Sequence, residues 1–152
     1  MKMNPISDIK ICSHLYTFPD DKTKQETYYL IFEIIVNGQR LTDFTSYAVN
    51  LEELIQSIDR DGQFYIITCW CGVPECAGVT KGVNVFHNQD LISWTVIQPA
   101  PSRTLTFSQK MYENAIRTAI KQGKKLIAQA KYSTNQNLEV VPMQNERLIA
   151  LE

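Results

Sequence analysis

The sequence has no long hydrophobic run and no strong excess of charge of one sign. Its longest apolar stretches, such as residues 28–32 and 34–36, fall far short of the roughly 20 residues that span a bilayer. The first residues lead into a stretch of mixed polarity without the apolar core of a signal peptide. A net charge of −1 argues against a dedicated nucleic-acid-binding protein, which usually carries a basic excess. We therefore expect a cytoplasmic protein that does not contact membranes.

The motifs of common enzyme classes are also missing. The sequence contains no glycine-rich phosphate-binding loop, no G-x-S-x-G turn and no H-E-x-x-H pair. Asp59 and Asp61, with Glu52 and Glu53, offer carboxylates for acid–base chemistry, but they fall at expected solvent-facing positions. Our leading hypothesis is therefore a non-enzymatic interaction or accessory domain that works through a protein partner, a second copy of itself included.

What the sequence does have is an ordinary globular composition. A chain of 152 residues with 44% apolar residues is long enough to bury roughly two-thirds of its unfolded surface without disulfides or metal. We expect residues 1–132 to form a single domain and residues 133–152 to form a partly mobile C-terminal tail.

Apolar and β-branched segments predict about six strands, which lie near residues 6–18, 26–36, 40–44, 64–70, 79–87 and 91–98. Asn37-Gly38 separates two of them and is a strong hairpin signal, because both residues tolerate a positive φ. Short connections between successive strands favour antiparallel pairing. The sequence Pro99-Ala100-Pro101 should end the sheet.

Two helices are expected. Asn50 is a helix cap with Glu53 three residues later, and apolar residues follow at helical spacing. A longer amphipathic helix of about 24 residues should begin at Thr106 or Ser108. Its outer face is basic and carries Lys110, Arg117, Lys121, Lys124, Lys125 and Lys131. Aromatic residues do not alternate with these cations, as they would in a site for single-stranded nucleic acid.

These elements predict an α+β fold. We expect a twisted antiparallel sheet of about six strands, with the long C-terminal helix packed on one face and one short helix between strands.

The most unusual segment is Cys69-Trp70-Cys71-Gly72-Val73-Pro74-Glu75-Cys76, which holds three of the four cysteines. Cys69 and Cys71 should end a strand with their side chains on one face, and Cys76 could fold back beside them. Zinc favours four tetrahedral cysteine or histidine ligands, and Cys12, His14 or His87 could complete the set. We therefore take Cys69, Cys71, Cys76 and His87 as the candidate metal ligands.

The spacing C-x-C-x4-C is not the usual zinc pattern of two C-x2–4-C knuckles. The leading interpretation is therefore that the thiols only pack, with no cofactor, because free cysteine behaves as a small buried hydrophobe. A zinc-stabilised binding domain is the first alternative. A thiol-dependent enzyme or redox protein is the second, although no C-x-x-C motif is present and no base can be assigned.

The turn Thr68-Cys69-x-Cys71-Gly72, followed by Cys76-Ala77-Gly78 and later by Trp94, resembles a signature of small uncharacterised bacterial proteins. The resemblance covers about 30 residues of the chain. It implies a bacterial source and supplies no activity that can be transferred.

Overall fold

A computed structural model of the chain describes residues 5–17, 26–131, 136–142 and 145–151. These residues form ten strands and three α-helices: β1 (Ile9–Thr17), β2 (Glu26–Val36), β3 (Gln39–Arg40), β4 (Ala48–Val49), α1 (Leu51–Ser57), β5 (Gly62–Phe64), β6 (Ile67–Thr68), β7 (Val83–Asn88), β8 (Leu91–Val96), β9 (Arg103–Ser108), α2 (Gln109–Lys131), β10 (Gln136–Val140) and α3 (Asn145–Ala150). The α+β class is thus confirmed, with mostly antiparallel strands, one long helix and a short helix between strands. The strands are divided among three sheets, whereas we expected one sheet of about six strands.

The first sheet is built around β2. Strand β1 pairs with it antiparallel over its whole length, and β10 pairs with its other side in parallel. The predicted Asn37-Gly38 hairpin is confirmed, with φ values of 51° and 77°. The returning strand β3 has only two residues, because the chain then turns at Asp43, whose carboxylate accepts the backbone N–H of Thr45.

The second sheet is an antiparallel meander in the order β5-β7-β8-β9. The expected strand at 64–70 is in fact two short strands, because β5 pairs with β7 here while β6 pairs with β4 in a separate two-stranded sheet. The prediction that Pro99-Ala100-Pro101 ends the sheet is wrong. The chain passes these prolines and returns as β9, which pairs with β8 from Arg103 to Ser108.

Both predicted helices are present with side-chain caps. The Asn50 side chain accepts the backbone N–H groups of Glu52 and Glu53 at the start of α1, at 3.0 and 3.3 Å. Of the two expected caps for the long helix, Ser108 is correct, since its hydroxyl accepts the N–H of Met111. Thr106 is instead a buried residue of β9.

The main core lies where α2 packs against both larger sheets. It combines one face of β2 with apolar residues of β8 and β9 and with the buried stripe of α2. The large side chains of this core include Phe32, Trp94, Phe107, Tyr112 and Ile116. The opposite face of β2 carries a smaller apolar cluster, which we call the aromatic cluster: Ile31, Ala48 and Val141, with Tyr16, Tyr29, Phe44 and Trp70 packed against them. The two faces of the first sheet therefore pack into two separate apolar clusters.

Part of the expected C-terminal tail belongs to these layers. Strand β10 joins the first sheet, and Leu148 of α3 is fully buried in the main core. Residues 133–135, 143, 144 and 152 of that tail lie outside the described residues. Among the helices of the described part, none is long and apolar enough to cross a membrane.

Candidate metal centre

The cysteine segment begins where the chain leaves β6. Ile67 and Thr68 are buried in the short sheet, and the chain reverses directly after them. The N–H of Gly72 donates to the carbonyl of Cys69 at 2.9 Å, which closes a β-turn with Trp70 and Cys71 at its centre. Gly72 has φ of +87°, a left-handed conformation that favours glycine. The turn, and not strand alternation as we expected, sets the relative position of Cys69 and Cys71.

A second reversal returns Cys76 to the same place. Residues Pro74–Ala77 form one turn of 3-10 helix, with proline at the first position, where no backbone N–H is needed. The N–H of Cys76 donates to the carbonyl of Val73 at 3.2 Å. Gly78 ends the turn with φ of +77° and donates to Glu75 at 3.0 Å. Glycine and proline at these positions explain how so short a segment reverses twice.

Trp70 attaches this segment to the body of the protein. Its indole N–H donates to the carbonyl of Phe44 at 2.9 Å. Its ring packs edge-on to Tyr16, with centroids 6.2 Å apart, and lies 5.7 Å from Tyr29. Trp70 is thereby part of the aromatic cluster. Because Trp70 lies between Cys69 and Cys71, this packing anchors the turn.

The three cysteine sulfurs converge. The Sγ atoms of Cys69, Cys71 and Cys76 all lie within 4.8 Å of one another. Cys69 is half-buried, whereas Cys71 and Cys76 are exposed. In a tetrahedral zinc site with Zn–S bonds of about 2.3 Å, neighbouring sulfurs are about 3.8 Å apart, so a small contraction of this group would fit the ion. The prediction that Cys76 folds back beside the other two is confirmed.

Hydrogen bonds shift the pKa values of Cys71 and Cys76 in opposite directions. The pKa of Cys71 is lowered, first by the backbone N–H of Val73 and then by the thiols of Cys69 and Cys76, all of which stabilise the thiolate. The pKa of Cys76 is raised, because its thiol donates to Cys71 and lies beside that negative charge. Cys71 therefore ionises before Cys76, and its thiolate is stabilised by neighbours that a metal would in turn deprotonate.

The residues expected to supply a fourth ligand lie outside this group. His87 has both ring nitrogens engaged: Nδ1 lies 2.6 Å from the carboxylate of Asp61, and Nε2 lies 2.8 Å from the carbonyl of Ile58. The His14 Nε2 atom lies 3.3 Å from the carboxylate of Glu33, and its ring stacks on Phe44.

Cys12, the third such residue, is exposed on β1. The structure thus brings together three of the four predicted ligands, and His87 belongs to a different hydrogen-bonded pair.

Three of the four acidic residues near α1, Glu52, Glu53 and Asp61, each contact a different partner. Glu52 makes an ion pair with Arg147 of α3 at 2.6 Å. The pKa of Glu53 is raised, first by burial and then by the charge of Glu52. A backbone hydrogen bond from Tyr65 acts in the opposite direction. Asp61 holds His87, as described above. Each of these three carboxylates therefore contacts a different group.

The sequence reasoning missed a buried carboxylate. Glu33 lies in the middle of β2 with only 3% of its surface exposed. It is flanked by His14 and by the guanidinium of Arg40, whose Nε lies 3.4 Å from Glu33 Oε2. Arg40 also lies over the ring of Phe44, 5.3 Å from its centroid. Charged residues are rarely buried unless they are paired. A charged residue within the apolar run of β2 was therefore the signal in the sequence that could have identified this buried carboxylate.

Comparisons with protein-family models, with curated proteins and with solved structures give no match. The resemblance of residues 68–78 to small bacterial proteins stays a prediction.

Proposed function

We propose that this protein is a zinc-stabilised binding domain. The observation that supports the proposal is the convergence of three cysteine sulfurs within 4.8 Å on an exposed, anchored turn. Packing alone does not explain the arrangement, because buried thiols are the usual outcome for structural cysteines and two of these three are exposed. The proposal includes a cytoplasmic location, where thiols stay reduced and available to metal.

Cys69, Cys71 and Cys76 would hold the ion, and a water molecule or a group from a partner would complete the tetrahedron. Thiolates are ligands that zinc prefers, and each must lose its proton on binding. The lowered pKa of Cys71 favours this residue as the first ligand. A bound dication would then promote deprotonation of the other two thiols. Since Cys69 follows β6 and Cys76 lies on the 3-10 turn, the ion would tie the two ends of the segment together.

Metal titration of the reduced protein tests the proposal. We expect one Zn²⁺ per chain, a rise in melting temperature on zinc addition, and loss of both effects in chelator. Co²⁺ in place of Zn²⁺ should show sulfur-to-metal charge-transfer absorption, because cobalt reports thiolate ligation spectroscopically. Affinity should fall as the pH is lowered, since protons compete for the thiolates.

Substitutions assign the ligands. Cys69→Ser, Cys71→Ser and Cys76→Ser should each weaken zinc binding at least about tenfold. Cys12→Ser is the matched control, because it removes an exposed thiol from β1. His87→Gln should leave zinc affinity unchanged, since both of its ring nitrogens already face other partners. Zinc well below one equivalent in the reduced wild-type protein, with no change in melting temperature, would refute the proposal.

A reversible disulfide between Cys71 and Cys76 is the second candidate function. It is favoured by the exposed, low-pKa thiol of Cys71 beside the thiol of Cys76. Two thiols would lose two protons and pass two electrons to an oxidant such as glutathione disulfide. Mass spectrometry of protein equilibrated in glutathione redox buffers would detect the bond. Cys69→Ser separates the candidates, because it should weaken zinc binding and leave this disulfide able to form.

A further inference from the structure

The second sheet has one face in the core and one face toward solvent. Val83, Val85, Ile92 and Trp94 are buried, so the side chains between them along β7 and β8 point away from the core. The strand register places the outward side chains in three rows across the sheet: Gln63, Asn84, Thr95 and Thr104; Phe86, Ser93 and Thr106; and Asn88, Leu91 and Ser108. Most of them are exposed, and we call this surface the neutral face.

The neutral face carries no charged side chain in any of its three rows, although charged residues make up 20% of the chain. Solvent-facing positions commonly hold lysine, arginine, aspartate or glutamate. Asp61, Lys81 and Asp90 lie outside the strands that build the face. The face instead presents hydroxyl and amide groups, which can both donate and accept hydrogen bonds.

The ring of Phe86 stands at the centre of these polar groups. Its residue is 59% exposed. Asn84 and Asn88 lie two positions away on β7, Ser93 lies directly opposite on β8, and Thr95 is the diagonal neighbour. Within the described part of the chain, the side chains of Asn84, Asn88 and Thr95 make no hydrogen bond, so their polar groups are available to a ligand. An exposed aromatic ring is therefore bordered by neutral donors and acceptors.

Size and charge together select an occupant for the neutral face. It measures about 14 Å across its four strands and about 13 Å along β7, or roughly 200 Å². A stable protein interface covers about 800 Å² on each partner, and the core of a homodimer interface is more apolar than this surface, which disfavours a second copy of the chain. Nucleic acids and anionic lipids are held largely by lysine and arginine, which the face lacks.

A neutral sugar matches both the shape and the chemistry. A pyranose ring with equatorial hydroxyls presents C–H groups on its two flat sides, and these groups can lie on the face of an aromatic ring. Its hydroxyls project from the rim of the ring, where hydroxyl and amide side chains can donate to them and accept from them. One or two such rings would cover the area around Phe86.

We propose that the neutral face binds a neutral oligosaccharide built of equatorially substituted pyranose units. One sugar ring stacks on Phe86, and its hydroxyls bond to Asn84, Asn88, Ser93 and Thr95. This site is separate from the metal site, because the neutral face belongs to the second sheet and the cysteine turn is anchored on the first.

Titration with cellotetraose, followed by ¹⁵N–¹H NMR, tests the proposal. We expect saturable shifts of the amide resonances of residues 84–88 and 93–95, with half-saturation at about 1–10 mM, because one ring on an open face gives weak binding. Sorbitol is the control ligand, since it offers the same kind of hydroxyls without a rigid ring. It should cause no saturable shift at matched hydroxyl concentration.

Variants locate the site. Phe86→Ala should weaken cellotetraose binding at least about fivefold, whereas Phe86→Trp should retain it, because an indole is also a flat aromatic platform. The double variant Asn84→Ala/Thr95→Ala should weaken binding at least about threefold through lost hydrogen bonds. Leu15→Ala is the matched control, because it removes a side chain that is 51% exposed on β1 of the other sheet. The double variant decides the question if Phe86→Ala fails to fold.

Several results would overturn the proposal: no saturable shift with cellotetraose up to about 30 mM, equal shifts with sorbitol, or binding that survives Phe86→Ala unchanged. A dimer in sedimentation experiments that Phe86→Ala dissociates would overturn it as well, because a second copy would then cover the face. Chelation of zinc should leave cellotetraose binding intact, so failure of this proposal is distinguishable from failure of the metal site.

Discussion

At the residue scale, a chain of hydrogen bonds crosses the main core. The Trp94 indole N–H donates to the hydroxyl of Tyr112 at 3.3 Å, this hydroxyl lies 2.5 Å from Ser57 Oγ, and Ser57 donates to the carbonyl of Leu54 at 2.6 Å. Tyr112 is fully buried, and burial raises its pKa far above the ordinary value, so it stays neutral. The chain of bonds joins β8, α2 and α1 inside an otherwise apolar core.

Tyr112→Phe should destabilise the protein by about 1–3 kcal/mol, because it leaves the buried N–H of Trp94 without an acceptor. Urea denaturation measures the change. Tyr65→Phe is the control, since the Tyr65 hydroxyl makes only an exposed contact of 3.4 Å with Thr80, and we expect a change within about 0.5 kcal/mol. Equal losses of stability in the two variants would show that the buried network adds no more stability than the exposed hydroxyl of Tyr65.

A second prediction at this scale concerns pH. The pKa of Asp61 is lowered below its ordinary 3.8, first by its hydrogen bond with the His87 side chain and then by the His87 backbone N–H. A carboxyl group whose pKa is lowered by folding stabilises the protein at pH values above its ordinary pKa. This stabilisation is lost as the pH falls through the lowered pKa. Wild-type protein should therefore melt higher than Asp61→Asn at pH 5 to 6, and the difference should shrink toward about pH 3. A difference in melting temperature that does not vary with pH would contradict this account.

At the scale of elements, α3 is held to the main core by one buried leucine. Gly123 of α2 lies so close to it that an added Cβ would be 2.9 Å from Leu148 Cδ2 and 3.0 Å from Phe32 Cζ. The Arg147–Glu52 ion pair and a hydrogen bond from Lys124 to the carbonyl of Leu151 fasten the rim. The close approach at Gly123 shows that α2 and α3 pack tightly against each other.

Leu148→Ala should cost about 2–5 kcal/mol, because it opens a cavity between α3 and α2. Its neighbour Ile149 is 44% exposed, so Ile149→Ala serves as the control and should change stability far less. Chemical denaturation of both variants decides whether the C-terminal residues support the core. A loss below about 0.5 kcal/mol in Leu148→Ala would place α3 outside the cooperative unit.

At the scale of the whole molecule, α2 connects the two larger sheets. It packs on β1 and β10 of the first sheet and on β8 and β9 of the second, and one continuous cluster of buried residues includes all of these elements. The two tryptophans lie in different places: Trp94 is in this main cluster, and Trp70 is in the aromatic cluster beneath the cysteine turn. They can report on the two regions separately.

We expect both regions to unfold together, because they share β2 and the core beneath it. In Trp70→Phe the remaining tryptophan fluorescence comes from Trp94, and in Trp94→Phe it comes from Trp70. Within each variant the fluorescence and far-ultraviolet circular dichroism transitions in urea should coincide. An earlier fluorescence transition in Trp94→Phe alone would show that the cysteine turn and its aromatic cluster open before the rest.

Local signals in the sequence predicted much of the secondary structure. The Asn37-Gly38 hairpin, the Asn50 cap and the apolar stripe of α2 all depend on residues within a few positions of one another, so the sequence alone was sufficient to find them. The density of cysteines likewise marked the segment that forms the candidate metal centre. Strand β9 was missed because the prolines before it are a local stop signal, whereas pairing with β8 is a tertiary interaction.

Tertiary structure alone decided how these pieces meet. The division into three sheets depends on which separate segments pair with each other. The parallel pairing of β10 with β2 and the contact of His87 with Asp61 join residues 26 or more positions apart, and no local pattern encodes such distances. The sequence placed the cysteines close together, but the anchoring of Trp70 by Phe44 and Tyr16 decides where their turn stands on the molecule. Local preference selects turns and helices, whereas burial of apolar surface between distant segments selects their arrangement.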